Sequence, residues 1–515
     1  MAPPLDDLAL SPAGYTHKQI LRVIFGILLC ILLAALDQTV VIPAVPAIAT
    51  ELNGYSHLSW IVSAYLLTST AATPIYGKLS DIYGRRALLL PALALFIVAS
   101  VLCALSQTLT QLIAFRALQG LGGAGLMAMA QAAIADVVAP RERGRYQGYM
   151  AGMWGVASVG GPLVGGFVTD HLSWTYVFWI NVPLGLVAMW LCNRALKLLP
   201  VPRPVRPRID YVGAALLTAA VTCLLLVLSW GGTEYPWFSA TIVGMTGAGV
   251  VLIAVLVWHE RHTPEAILPP RLFANAVYVR GVVIAFFTSI ALLGVTFLLP
   301  LYFQLLRGED ASTSGLMLMP YLVANVIGSY IGGQLSRWLG RTKAPLIGGL
   351  AVTSVGLAML TTAAVGSPIA LVVVGMSVTG FGIGTCLPNT LIMVQNAADT
   401  RDIGTATGAL LFLRSMGGAF GSTLVGSLLT TEFANHLHAA GIAGPIDLGA
   451  LASDGLLARL GPAAQVMGQD ALGAGFQLAF GVVAGLSLVS LLVAAGLRDL
   501  PLRAHAASEP DALGH

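Results

Sequence analysis

Apolar residues fall in blocks of about 20, separated by short polar stretches. A helix rising 1.5 Å per residue needs about that length to cross a hydrocarbon core of roughly 30 Å. The blocks are too long for barrel strands and lack their alternation. The pattern therefore predicts an all-α membrane protein with fourteen spans. Six lie near Leu21 to Val45, Leu58 to Tyr76, Ala87 to Leu105, Leu109 to Ala130, Tyr146 to Val168 and Val177 to Leu196. The others lie near Tyr211 to Trp230, Ala240 to Trp258, Val279 to Leu301, Thr313 to Leu335, Pro345 to Ala363, Pro368 to Leu391, Thr405 to Thr430 and Gly473 to Leu497.

Composition agrees. Of 515 residues, 57% are hydrophobic and 10% charged, against about 25% charged in soluble domains. The distribution of Lys and Arg adds orientation. With the N-terminus in the cytoplasm, all but four of the 26 basic residues fall on inward segments, among them Lys78, Arg85, Arg86, Arg141, Arg143, Arg145, Arg203, Arg206, Arg208, Arg337, Arg341 and Lys343. Arg307 and Arg459 fall outward, and Arg116 and Arg414 lie within spans. Both termini are expected in the cytoplasm. The first block is too long for a signal peptide and has no small-residue cleavage site, so it is expected to stay in the mature chain. All five cysteines lie in apolar spans, where they read as small hydrophobes rather than disulfides or metal ligands.

Gly77-Lys78-Leu79-Ser80-Asp81-Ile82-Tyr83-Gly84-Arg85 recurs as Gly333-Gln334-Leu335-Ser336-Arg337-Trp338-Leu339-Gly340-Arg341. Both copies follow an outward-to-inward span, which implies two homologous halves of the kind that rock about a midplane site. The first copy follows span two and the second follows span ten, so spans seven and eight are an insertion. The expected order is a cytoplasmic segment (1–20), a six-helix bundle (21–198), a Pro/Arg-rich linker (199–210), the inserted pair (211–260), a second six-helix bundle (261–498) and a tail (499–515). The outward segment 432–472 reads as a surface loop or as a short amphipathic hairpin. Its histidines, His436 and His438, are not read as a metal site.

Charges within spans are few: Asp37, Arg116 and Arg414. A central charge carries an insertion penalty of roughly 2.5–3.5 kcal/mol, so each should face the bundle interior or a wet cavity. Burial raises a carboxyl pKa and a nearby guanidinium lowers it, a balance suited to loading and releasing a proton. Asp37 is thus a candidate for proton coupling; the alternative is a permanently ionised partner that holds two helices together. Arg116 shares a helix face with Gln119 at i, i+3 and either sets the charge at Asp37 or packs. Arg414 has the same two readings, coupling or packing.

Gly155 through Gly166, with Gly161, Pro162, Gly165 and Gly166, puts helix-weakening residues inside span five, for bending or for a small-residue interface. Gly77, Asp81, Gly84, Arg85 and Arg86 read as a cytoplasmic gate loop, where Asp81 is the residue a plain positive-inside anchor does not explain. Trp60, Tyr65, Trp154, Tyr321, Asn325, Phe381, Asn389 and Gln395 are candidates for a substrate cavity or for ordinary packing. The chain carries no phosphate-binding loop, no H-E-x-x-H and no catalytic set, so it reads as neither an ATP-driven pump nor an enzyme.

These segments resemble the major facilitator superfamily, and in particular its fourteen-span drug:proton antiporters, which include quaternary-ammonium and hydrophobic-compound exporters. Leu36-Asp37-Gln38-Thr39-Val40-Val41 through Pro46 resembles that branch's first-helix motif, and Gly77 to Arg86 resembles the superfamily's loop signature. Arg116 to Gly120 resembles the fourth-helix motif linked to proton transfer, and Gly161-Pro162-Leu163-Val164-Gly165-Gly166 the fifth-helix motif of antiporters. Further similarity lies in Trp174 through Gly185, Leu299 through Gln304 and Leu413 through Gly418. Thr175 departs from the Arg that relatives often carry, and the tenth span lacks the added acid of some divalent-cation exporters.

The resemblance implies the major facilitator fold, two six-helix bundles plus two inserted helices. It implies proton-coupled export of small amphipathic or cationic drugs, with Asp37 and Arg116 as the coupling residues. A dedicated exporter of one metabolite is the alternative. The expected partners are small-molecule substrates, protons and the bilayer of the inner membrane, with a functional monomer, no nucleic acid and no cofactor beyond the proton gradient. Involvement of a periplasmic adaptor is not legible.

Overall fold

The computed structural model describes residues 17–52, 58–198, 209–232, 234–363, 366–439 and 462–502. The linker Leu199 to Arg208, the middle of the outward segment and most of both terminal segments lie outside the described residues. Among those described, the regular elements are helices. They are α1 His17–Glu51, α2 Ser59–Tyr83, α3 Arg85–Ala104, α4 Leu109–Val137, α5 Arg143–His171, α6 Tyr176–Trp179, α7 Asn181–Ala195, α8 Tyr211–Trp230 and α9 Ala240–His262. They continue as α10 Pro270–Ala274, α11 Ala276–Arg307, α12 Ala311–Met317, α13 Met319–Leu339, α14 Lys343–Thr361, α15 Ile369–Ala397, α16 Ile403–Ala439 and α17 Pro462–Ala495.

Local chemistry sets several ends. Thr108, Asp210 and Ser239 accept from the backbone N–H three residues on, at 3.3, 2.8 and 3.3 Å, and so start α4, α8 and α9. Gly84 (φ 88°) separates α2 from α3, and Gly340 (φ 64°) ends α13. A side chain is strained at either angle, so both copies of the repeated stretch stop a helix at the same glycine.

Thirteen described helices are long and apolar enough to cross a membrane. The chain is a multi-pass all-α membrane protein. The second expected span, α2, has the length but is rich in Ser, Thr and Tyr. It lies along α4, where Thr68 donates to the Ala117 carbonyl at 2.8 Å, so its polarity is met inside the protein.

The helices overrun the expected spans, because a continuing helix satisfies its own backbone at the membrane surface. α1 continues through Pro43 and Pro46 to Glu51. α2 continues to Tyr83, which corrects the reading of Gly77 to Arg86 as a loop: the segment is a helix end, one glycine and a helix start. α16 runs to Ala439 and α17 begins at Pro462, so the described ends of the segment 432–472 are helical.

The chain divides into two compact units. The first holds Met1–Val279, Leu391–Phe412 and Pro501–His515; the second holds Arg280–Thr390 and Leu413–Leu500. The first has a core of Ile27, Phe96, Met129 and Ala188, all fully buried. The second is built on Tyr302, Phe303, Leu357, Phe476 and Phe480.

Candidate functional site

Asp37 sits in the middle of α1 with no solvent exposure. Arg116 of α4 donates through Nη1 to Asp37 Oδ2 at 2.7 Å. Gln119, one turn along α4, donates through Nε2 to Oδ1 at 2.8 Å, and Asn181, the first residue of α7, donates to the same oxygen at 2.7 Å. Two helices, α4 and α7, thus deliver three donors to one carboxylate. Ser100 of α3 accepts from Gln119 at 2.7 Å and links a further helix to the cluster.

Arg116 is held as fully as its partner. Its Nε donates to the Ile61 carbonyl at 3.1 Å and its Nη1 also reaches Gln119 Oε1 at 2.7 Å. The guanidinium carbon lies 4.5 Å from the centre of the Tyr65 ring, a cation–π contact, and 5.8 Å from that of Phe178. The i, i+3 face predicted for Arg116 and Gln119 is the face turned to Asp37. Sequence reasoning missed Asn181 and Ser100 as members of this network. The signal was present in Asn181, an amide between the apolar Ile180 and Val182.

The fifth-helix glycines position α1 beside this network. Thr39, two residues beyond Asp37, donates to the Ala157 carbonyl of α5 at 2.8 Å. A Cβ on Gly161 would collide with the Thr39 side chain, and one on Gly165 with the Val40 carbonyl oxygen. Gly166 faces open space, and Pro162 is exposed. The motif is therefore asymmetric. Gly165→Ala is expected to lower stability by about 1–3 kcal/mol through overpacking, while Gly166→Ala stays near wild type. Thermal melts of the two purified variants check this, and equal melting of both would contradict it.

A second polar cluster joins the end of α2 to the start of α16, inside the first unit. Asp81 accepts from the backbone N–H groups of Gly404 and Thr405 at 2.8 and 2.7 Å and from the Thr405 hydroxyl at 2.8 Å. A carboxylate at a helix N-terminus meets unpaired N–H groups and the positive end of the dipole. Arg85 pairs with Asp81 at 2.7 Å and with Asp136 at 2.9 Å, and it also donates to Ser80. Gly77 lies against the Gly404 backbone, where a side chain would not fit. Arg86 turns away and donates to Asn193 at 2.7 Å. Asp81, the acid that a positive-inside anchor leaves unexplained, thus meets a helix terminus that the sequence did not identify.

The connector 263–275, between α9 and α11, reaches the same region. Glu265 takes Lys78 of α2 at 2.8 Å, and the Leu268 N–H donates to Glu260 of α9 at 3.1 Å. Arg271 of α10 holds Asp402 through Nε and Nη2 at 2.9 and 2.8 Å, and Asn275 donates to the Ala397 carbonyl at 2.9 Å. Hydrogen bonding to Asp402 raises the Arg271 guanidinium above its ordinary pKa.

The remaining candidates of the first unit have separate neighbours. Tyr65 belongs to the Arg116 network, while Trp60 packs edge-on against Trp230 of α8 at 6.1 Å. Trp154 is exposed, and Gln395 is buried between Arg143 and Thr407, at 3.2 and 3.0 Å. In the second unit, Tyr321 is fully buried with its hydroxyl on the Leu292 carbonyl at 3.1 Å, and Asn389 is fully buried against Ser336. Asn325 donates to the Gly380 carbonyl at 3.4 Å, and Gly328 packs on the Phe381 backbone. Arg414 projects from α16 onto α15, where Nη2 donates to the Leu387 carbonyl and to Thr390 Oγ1.

The family model described as Major Facilitator Superfamily matches residues 27–422. The chain belongs to the major facilitator superfamily. It is 36% identical over 479 residues to an MFS-type transporter of Mycobacterium tuberculosis, covering 93% of this chain and 69% of the relative. It is 35% identical over 430 residues to the multidrug transporter protein MdtP of Bacillus subtilis, covering 84% of this chain and 79% of that one. Among solved structures, the proton:xylose symporter XylE aligns with a TM-score of 0.62 at 16% identity, over 93% of this chain and 95% of that chain; this likeness is one of fold. As a member of this superfamily the chain is a membrane transporter, not an enzyme.

Proposed function

We propose that this superfamily member is a proton-driven antiporter that expels small amphipathic compounds across the cytoplasmic membrane, both of its termini facing the cytoplasm. The observation that carries the reading is Asp37: among the described residues it is the one carboxylate in the middle of a spanning helix, and it is sealed from solvent beneath Arg116. The name carried by MdtP, a multidrug transporter, supports the drug-transport part of the reading.

A proton arriving at Asp37 removes the charge that holds Arg116. The guanidinium keeps the Ile61 carbonyl, the Gln119 amide oxygen and the Tyr65 ring, so it remains satisfied while its tie to α1 is released. Because Asp37 has no exposure here, a proton reaches it only when helices around it move. That requirement ties protonation to a conformational change, the condition for alternating access. The Asp81 and Arg271 contacts anchor the start of α16 within the first unit.

The test is purified protein in liposomes with a pH-sensitive dye trapped inside. Adding an amphipathic substrate to the outside of liposomes is expected to draw protons the other way, and an imposed proton gradient is expected to drive substrate uphill. Substrate flux that is unaffected by collapsing the gradient would overturn the proposal.

A further inference from the structure

The two units treat their buried charge differently. In the first, Arg116 is neutralised by Asp37 at 2.7 Å. In the second, Arg414 has no carboxylate within ion-pairing distance among the described residues. Both of its hydrogen bonds leave from Nη2 and end on neutral acceptors, and Nε is buried without an acceptor. Arg414 as a whole is partly exposed, although its Nε is buried.

Sequence position makes this imbalance general across the unit. The acids of the second unit, such as Glu309, Asp310, Glu432, Asp470 and Asp499, lie in connections or near helix ends. Glu432 is on the same helix as Arg414 but about 27 Å further along at 1.5 Å per residue. Arg414 lies mid-span, where an uncompensated cation is expensive. A guanidinium that keeps an unused donor and lacks a counter-ion is the group that takes a carboxylate in charge-assisted hydrogen bonds.

We propose that Arg414 is a substrate-binding residue, and that the compounds this transporter moves carry an anionic group, a carboxylate or its equivalent, on an apolar body. The inference rests on the exporter reading and names its substrate class. It narrows the expectation of cationic drugs, since a second cation beside Arg414 is repelled. The substrate supplies the charge that the protein lacks, so its arrival lowers the penalty of holding Arg414 at that depth.

The experiment measures binding to the purified full chain by tryptophan fluorescence, on three aromatic skeletons (naphthyl, biphenyl and anthracenyl). Each skeleton is offered as its acetate, its acetamide and its methylammonium analogue. Charge-assisted hydrogen bonds are worth about tenfold or more over neutral ones. Wild type is therefore expected to bind at least one acetate roughly tenfold tighter than its acetamide, and the ammonium analogue weakest. Arg414→Gln is expected to bring that ratio to about one without weakening the acetamide, and Arg414→Lys to keep most of it.

Asp37→Asn is expected to keep the acetate preference although gradient-driven flux fails, so anion recognition and proton coupling are read separately. The proposal is overturned if no skeleton shows an acetate preference in wild type, if the ammonium compounds bind tightest, or if the preference survives Arg414→Gln. Should Arg414→Gln fail to fold, the wild-type ranking and the Arg414→Lys ratio decide it.

Discussion

Everted membrane vesicles carrying Asp37→Asn are expected to hold as much folded protein as wild type and to show no uphill movement of an amphipathic probe when a pH gradient is imposed. The amide keeps one acceptor oxygen for Arg116 but has no proton to exchange at working pH, so coupling falls to background. Folding survives because the neighbours of Asp37 can adapt. Asn181 Oδ1 is buried without a partner, so rotation of that amide provides an acceptor for the introduced NH2 group. Arg116 retains three other contacts. Downhill movement of the probe is expected to persist, which distinguishes lost coupling from a collapsed protein. Undiminished uphill transport in this variant would remove Asp37 from the mechanism.

The opposite truncation is expected to be far more harmful to the fold. Arg116→Met leaves Asp37 fully buried with only the neutral amides of Gln119 and Asn181 on it. Breaking a buried ion pair from one side typically removes about 3–5 kcal/mol, because the charge left behind has lost its hydration and its partner together. Arg116→Met should therefore melt well below both wild type and Asp37→Asn. Adding Asp37→Asn to Arg116→Met removes the stranded charge and is expected to recover part of the loss. The measurement is a double-mutant cycle on purified protein by thermal or denaturant unfolding. Strict additivity of the two substitutions would mean that the pair is not coupled in the folded state.

Much of this was legible in the chain. The all-helical membrane class followed from block length, because the hydrocarbon core sets a length that few soluble helices match. The pairing of Asp37 with Arg116 was legible because so few charges enter the spans that each must find another. The i, i+3 spacing also put Gln119 on the right face. Asn181 and Ser100 escaped attention because neutral polar residues are common in spanning helices, and only tertiary geometry shows that these two converge on Asp37. The contact made by Asp81 was half legible. Asp81 stood out as an acid among basic residues, but its partner is backbone at the start of α16, more than 300 residues later, and backbone N–H groups carry no sequence signal. The cavity candidates were chosen by residue type alone, and residue type does not tell a side chain that lines a space from one that fills it.

The connector 263–275 bears on what the pair α8–α9 is for. It follows α9 directly, and its own side chains tie Lys78 of α2 and Asp402 before α16. A chain shortened by excising the pair would have to end its cut so that Glu265, Arg271 and Asn275 still arrive at those partners. α8 and α9 thus serve as a mooring that brings one strap to its cleats. Shortening experiments on such proteins have to preserve where the strap lands as well as the number of crossings.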